Sequence, residues 1–213
     1  MSASRKDSPR PAGRRRRAPE DRRQDIVQAA FALFREAGYA ATRMEDVARR
    51  AGVAKGTVYL YFTDKPALFE AVVEAVILPM VERLHSLGRT AGGPPADRLR
   101  RLLEVAYDEL VDTDRREIVR MVIAESGRSP AIAAFYHRAV VSRAKAALSA
   151  VVAEGIAEGT FADGPLARRP EVIIGPVLMA VIWRLVFEET EPLDRDSFLA
   201  AHLDMVVNGL DRR

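Results

Sequence analysis

Gly52 stands between two short apolar stripes, and this arrangement limits what the 213-residue chain can fold into more than any other feature. On its N-terminal side Met44, Val47, Ala48 and Ala51 recur at three- and four-residue steps, one face of an amphipathic helix. On its C-terminal side Val58 and Phe62 give a second short helix its buried side, with Val53 in the corner between them. The glycine supplies the backbone freedom needed to leave the first helix within a tight turn. Residues 42–65, T-R-M-E-D-V-A-R-R-A-G-V-A-K-G-T-V-Y-L-Y-F-T-D-K, therefore read as a helix-turn-helix. Its outward residues are Lys55, Gly56, Thr57, Tyr59 and Tyr61: a cation, a gap where backbone can approach, a hydroxyl and two phenols, a set able to bond phosphate oxygens and base edges. A plain surface hairpin would gain little from two exposed tyrosines.

Charge supports a nucleic-acid partner. Through Phe62 there are fourteen basic and seven acidic residues, a net +7 in a chain whose total is +3, so a positive end is joined to an acidic body. Only Lys6, Lys55, Lys65 and Lys145 are lysine among 33 basic residues, so arginine richness alone carries no weight. The absence of cysteine excludes disulfides and thiolate metal sites and suits a reducing cytoplasm. No secretory signal is expected, because no apolar stretch follows the basic N-terminus. The most apolar segment, residues 172–183, falls short of the roughly eighteen to twenty residues that span a bilayer and reads as a buried helix. His85, His137 and His202 are scattered, and neither a zinc-protease, nucleophile-elbow nor nucleotide-binding fingerprint is present, so neither catalysis nor a cofactor or metal is expected.

Residues 1–19 carry three prolines, a glycine and the run Arg14 to Arg17 without apolar periodicity, the pattern of a disordered basic arm, either a solubilising leader or a minor-groove tracker. A first helix is expected from Glu20 or Asp21 to Ala37, with Ile26, Ala30, Leu33 and Phe34 inward and Gly38 ending it. Thr42 reads as the N-cap of a helix opening at Arg43, with Glu45 completing a capping box. Thr63 and Asp64 cap a long fourth helix that Pro79 should kink, and Gly-Gly-Pro-Pro at 92–95 closes the first part. Further helices are expected over 96–111, 114–125, 130–158, 170–189 and 194–210. The last two carry enough apolar surface for a subunit interface.

The chain resembles the tetracycline-repressor (TetR) family of bacterial transcription regulators, most clearly from Asp25 to Phe69 and beyond that in length and helical layout. The resemblance implies an all-α fold of about nine helices: a three-helix DNA-binding domain over 20–66 and a ligand-binding and dimerisation domain over 67–213. It implies a homodimer through the last two helices, a palindromic double-stranded operator, and repression relieved by a small-molecule effector. Carried over, it puts Lys55, Gly56, Thr57 and Tyr59 on the recognition helix in the major groove. Thr42 and Arg43 would lie at the start of the preceding helix, and Tyr61 and Lys65 would grip phosphates. Pro66 departs from a commonly polar position but falls in a first turn that tolerates it. Leu60 departs from a commonly aromatic one, so no contact is carried over to that position.

Aromatic and sulfur-bearing residues on otherwise apolar helices mark an effector pocket: Tyr107, Met121, Phe135, Tyr136, Met179 and Trp183, with Arg120, His137 and Arg184 as polar partners. That lining suits a mostly apolar effector. A ligand-free architectural DNA-binding protein is the alternative, although it would not need some 120 further helical residues.

Overall fold

The structure, a computed structural model, describes residues 19–90 and 92–211. The basic arm expected over 1–19 lies outside the described residues except for Pro19, which opens the first helix. Among the described residues the chain is helical, with one isolated bridge between Phe161 and Asp211. The order is α1 (Pro19–Ala37), α2 (Met44–Arg50), α3 (Lys55–Tyr61), α4 (Lys65–Val76), α5 (Leu78–Thr90), α6 (Pro95–Ala106), α7 (Arg116–Glu125), α8 (Pro130–Tyr136), α9 (Ser142–Ala157), α10 (Pro170–Val186) and α11 (Arg195–Leu210). A π-helical turn, Tyr107–Val111, extends α6, and another, His137–Val141, joins α8 to α9. The expected long fourth helix is divided at Ile77, just before Pro79, and the expected 130–158 helix contains the second π turn. Joining α4 to α5 and α8 to α9 recovers the nine helices anticipated.

Local chemistry sets the boundaries of the first four helices. Gly38, at φ +82°, ends α1 with its N–H on the Phe34 carbonyl at 3.0 Å. Gly52, at φ +67°, ends α2 in a Schellman motif: its N–H reaches the Arg49 carbonyl at 3.2 Å, and the Val53 N–H reaches that of Ala48 at 3.0 Å. The Asp64 carboxylate accepts from the Ala67 N–H at 2.8 Å and caps α4, and Pro66 sits in the first turn.

The core of the N-terminal part is built on Phe34, Tyr39 and Phe69, whose ring centroids lie 5.3–6.3 Å apart. Ile26, Ala30, Val47, Val58, Phe62 and Leu68 are buried around them. Because α4 packs on α1 and leads directly into α5, it crosses the boundary expected at residue 66. In the C-terminal part α5, α6 and α9 pack together, and α10 lies against α6, α7, α9 and α11. No helix among the described residues is long and apolar enough to cross a membrane.

Candidate nucleic-acid interface

Helix α3 is anchored by Val58, which is fully buried, and closed by Phe62, also buried. With that side fixed, Lys55, Gly56, Tyr59 and Leu60 face outward, and Thr57 and Tyr61 are half-buried at the edges. Leu60, 85% exposed, is the most open of the exposed large apolar side chains. A Cβ built on Gly56 would meet no atom within 4 Å, so the backbone there is open to an approaching surface. Arg43 is exposed at the start of α2.

Lys55, Arg49 and Arg50 of this surface are paired with carboxylates. Lys55 Nζ lies 2.5 Å from a Glu45 carboxylate oxygen and 5.8 Å from the Tyr59 ring centroid. The hydrogen bond from Lys55 holds Glu45 below the usual carboxylate range, and Glu45 in turn raises Lys55. Arg50 forms a two-pronged pair with Glu36 at 2.9 and 2.5 Å, and Arg49 pairs with Asp46.

Two residues expected to meet DNA face the protein instead. Thr42 is buried, and its hydroxyl donates to the Gly38 carbonyl at 2.8 Å. It is not the N-cap of α2 either: Arg43 holds that position, without a side-chain cap, and α2 begins at Met44. Lys65 Nζ donates to the carbonyls of Tyr39, Ala40 and Thr42 at 2.9, 3.0 and 3.2 Å and lies 4.5 Å from the Tyr39 ring centroid. An ammonium has three N–H donors, and all three are engaged. Burial lowers the Lys65 pKa, with the nearby Glu125 opposing that shift. Both side chains fasten the 38–42 turn that aims α2 and α3. Thr42 stands four residues after Gly38, a spacing readable as a backbone contact; nothing in the sequence signals the Lys65 clamp, whose partners are 23–26 residues away.

The expected effector residues do not converge. Tyr107 and Met121 are buried, Phe135, Tyr136 and Trp183 are half-buried, and Met179 points outward at 49% exposure. Burial raises the Tyr136 phenol. Trp183 Nε1 donates to the Glu191 carbonyl at 2.8 Å and its ring packs on Phe187. The Tyr107 hydroxyl meets His202 Nδ1 at 3.1 Å, and His202 Nε2 donates to the Ile173 carbonyl at 2.8 Å, which leaves Nδ1 to accept from the phenol. Of the polar partners, His137 is exposed, Arg184 pairs with Asp112 and Glu188, and Arg120 pairs with Glu117 at 2.6 Å. The void between α5, α6, α9 and α10 is lined by Leu84, Leu102, Leu103, Ala106, Ala144, Ala147, Leu148 and Ile174. Its volume is about 10 Å³, room for one water. None of the six candidates lines it.

The two parts of the molecule are tied through the segment after α6. Arg35 of α1 pairs with Asp114 at 2.6 Å, Arg115 Nε donates to the Val76 carbonyl ending α4 at 2.7 Å, and Arg120 reaches the Arg35 carbonyl at 3.3 Å.

Comparison with known proteins agrees with this geometry. Residues 26–72 match the model of the N-terminal region of bacterial regulatory proteins of the tetR family, and residues 90–206 match that of the tetracycline-repressor-like C-terminal domain. The chain belongs to the TetR family of transcriptional regulators. It is 28% identical to the HTH-type transcriptional activator FasR of Mycolicibacterium smegmatis, over 98% of this chain and 94% of FasR. It is 23% identical to the HTH-type regulator YerO of Bacillus subtilis, over 90% of this chain but 66% of YerO, just under two thirds of that protein's length. A transcriptional regulator from Saccharomonospora viridis, solved in complex with choline, shares the fold with a TM-score of 0.77 at 20% identity, over 91% of this chain and all of that one. The matched family and these relatives are transcriptional regulators.

Proposed function

We propose that two copies of this TetR-family chain place their α3 helices in successive major grooves of a palindromic operator, and that a small, mostly apolar effector releases them, so that the bound state represses transcription. The observation that carries this reading is the pairing of a buried Val58 with an outward row of Lys55, Gly56, Tyr59 and Leu60 on one short helix. Arg43 and Lys55 have the reach for guanine edges, each good contact contributing about 1–3 kcal/mol of discrimination. Tyr61 holds backbone phosphates, and Thr42 and Lys65 position the helices rather than touch DNA.

The second copy covers α10. Val172, Met179 and Val186 are exposed and repeat every seven residues, with Gly175 open between the first two, so one apolar stripe runs the length of that helix. Leu178 and Phe187 flank it, and Met205 of α11 adds to the exposed apolar surface. Met179 thus belongs with subunit contact rather than with the effector.

The effector enters between α5, α6, α9 and α10, whose leucine, isoleucine and alanine lining favours an apolar body. A drug-sized molecule needs on the order of 300 Å³ or more, so binding must part these helices. That movement reaches the reading end through Arg115 and Asp114. A solved relative of the same fold holding choline supports small-molecule responsiveness without giving the ligand.

The test is a gel-shift titration of purified protein against a duplex recovered by selection from a random library, with light scattering for mass. The reading expects a dimer bound to a palindrome; a monomer indifferent to sequence contradicts it. Because FasR is named an activator, a promoter fusion decides the sign of regulation.

A further inference from the structure

We infer that Leu60 is a specificity-determining residue: docked in the major groove, its side chain packs on the C5-methyl group of a thymine and selects for thymine at that position of each half-site. This rests on the reading of α3 as the recognition helix. On a helix turning about 100° per residue, the positions two before and two after the buried Val58 point most directly away from it. Those positions are Gly56 and Leu60. Lys55 and Tyr59 then fall on one flank of the helix and Thr57 and Tyr61 on the other, so polar side chains border a crest that carries none. Leu60 is 85% exposed, and Gly56, one turn before it on the same face, has no atom within 4 Å of where a Cβ would stand. The crest is therefore open along its length.

One exposed leucine is ordinary on a protein surface. Its place on the crest of the reading helix decides what it can do on DNA. An isobutyl group has neither donor nor acceptor, so it bonds no phosphate and no polar base edge. The thymine methyl is the one apolar group that the base pairs present in the major groove. Against adenine or guanine the leucine would cover the N7 acceptor without bonding it, leaving a polar group desolvated and unpaired. Against cytosine, which lacks the methyl, it would leave a gap. Thymine is thus favoured both by what it offers and by what the other bases lose. Taking one methyl out of water changes affinity about fourfold, or about fifteenfold when both half-sites of a dimer are altered together.

The experiment replaces the thymines of the selected palindrome with uracil, one symmetric pair at a time, which removes the methyl and keeps every hydrogen-bonding group. Kd is measured by fluorescence anisotropy at fixed salt, using the full chain as wild type, Leu60→Ala and Lys55→Ala, with a scrambled duplex alongside. Leu60 stands outside the core, so Leu60→Ala should melt as wild type does. The expected result is one pair whose conversion to uracil weakens wild type about fifteenfold and Leu60→Ala by less than about twofold. Identical uracil profiles in the two proteins overturn the inference. So does a loss in Leu60→Ala that is equal on palindrome and scrambled duplex, which would mark contact with the sugar-phosphate backbone. If Lys55→Ala binds the palindrome as wild type does and no uracil pair matters, the reading of α3 fails and this inference fails with it. Weakened binding by Lys55→Ala beside identical uracil profiles leaves that reading standing and removes Leu60 alone.

Discussion

Lys65 holds Tyr39 twice, donating to its carbonyl at 2.9 Å and resting its charge 4.5 Å from the ring centroid. With the further bonds to Ala40 and Thr42, the side chain at the start of α4 closes the turn between α1 and α2. Hydrogen bonds to a charged donor contribute about 1.5–3 kcal/mol each. Lys65→Met removes three such bonds, which water replaces in part at this half-buried site, and is expected to lower unfolding free energy by at least about 2 kcal/mol in urea titration. Operator binding should weaken with no change in salt slope, whereas a residue bonded to phosphate would lower the slope by roughly 0.9.

Gly56 separates folding from function. It lies inside α3 with open space where a Cβ would go, so Gly56→Ala should stabilise the free protein by about 0.5–1 kcal/mol, read by thermal melting. The methyl would stand between the backbone and DNA, and gel-shift affinity should fall tenfold or more.

On α10, Met179→Glu puts a charge in the middle of the outward stripe without entering the core. The expected outcome is a folded monomer by light scattering with much weaker operator binding, since the two half-sites lose their linkage. A dimer of unchanged affinity would place the interface elsewhere.

His202 gives a pH dependence. Burial holds its pKa below the ordinary 6.5, with the bond to the Ile173 carbonyl opposing. The unfolded chain then takes up a proton before the folded one, so stability is full above about pH 6.5 and declines as pH falls from there toward the folded value. Urea midpoints between pH 5 and 8 should show this decline in wild type and a smaller one in His202→Gln.

The parts of the fold legible in the sequence are those governed by local chemistry. Gly38 and Gly52 end helices because only a left-handed residue closes those caps, Asp64 caps α4 through its neighbour three residues on, and Pro79 divides the rod. The outward row on α3 follows from the spacing of Val58 and Phe62 alone. What stayed hidden depends on partners distant in sequence. Thr42 has the composition of a cap but lies in the α1–α2 turn, and Lys65 looks like a free cation until the chain brings three carbonyls to it. The π turns at 107–111 and 137–141 leave no mark in apolar periodicity. Met179 and Tyr107 read alike as isolated bulky residues on apolar helices, yet one faces outward and the other is sealed against His202. The small cavity is lined by leucines, an isoleucine and alanines, which no composition rule distinguishes from ordinary core.

Guanine methylation interference on the selected duplex, run with wild type and Lys55→Ala side by side, tests the central claim most directly. Wild type should give two symmetric sets of critical guanines about one helical turn apart, and Lys55→Ala should lose the same guanine from each set. An interference pattern without symmetry, or one identical in the two proteins, would contradict the account.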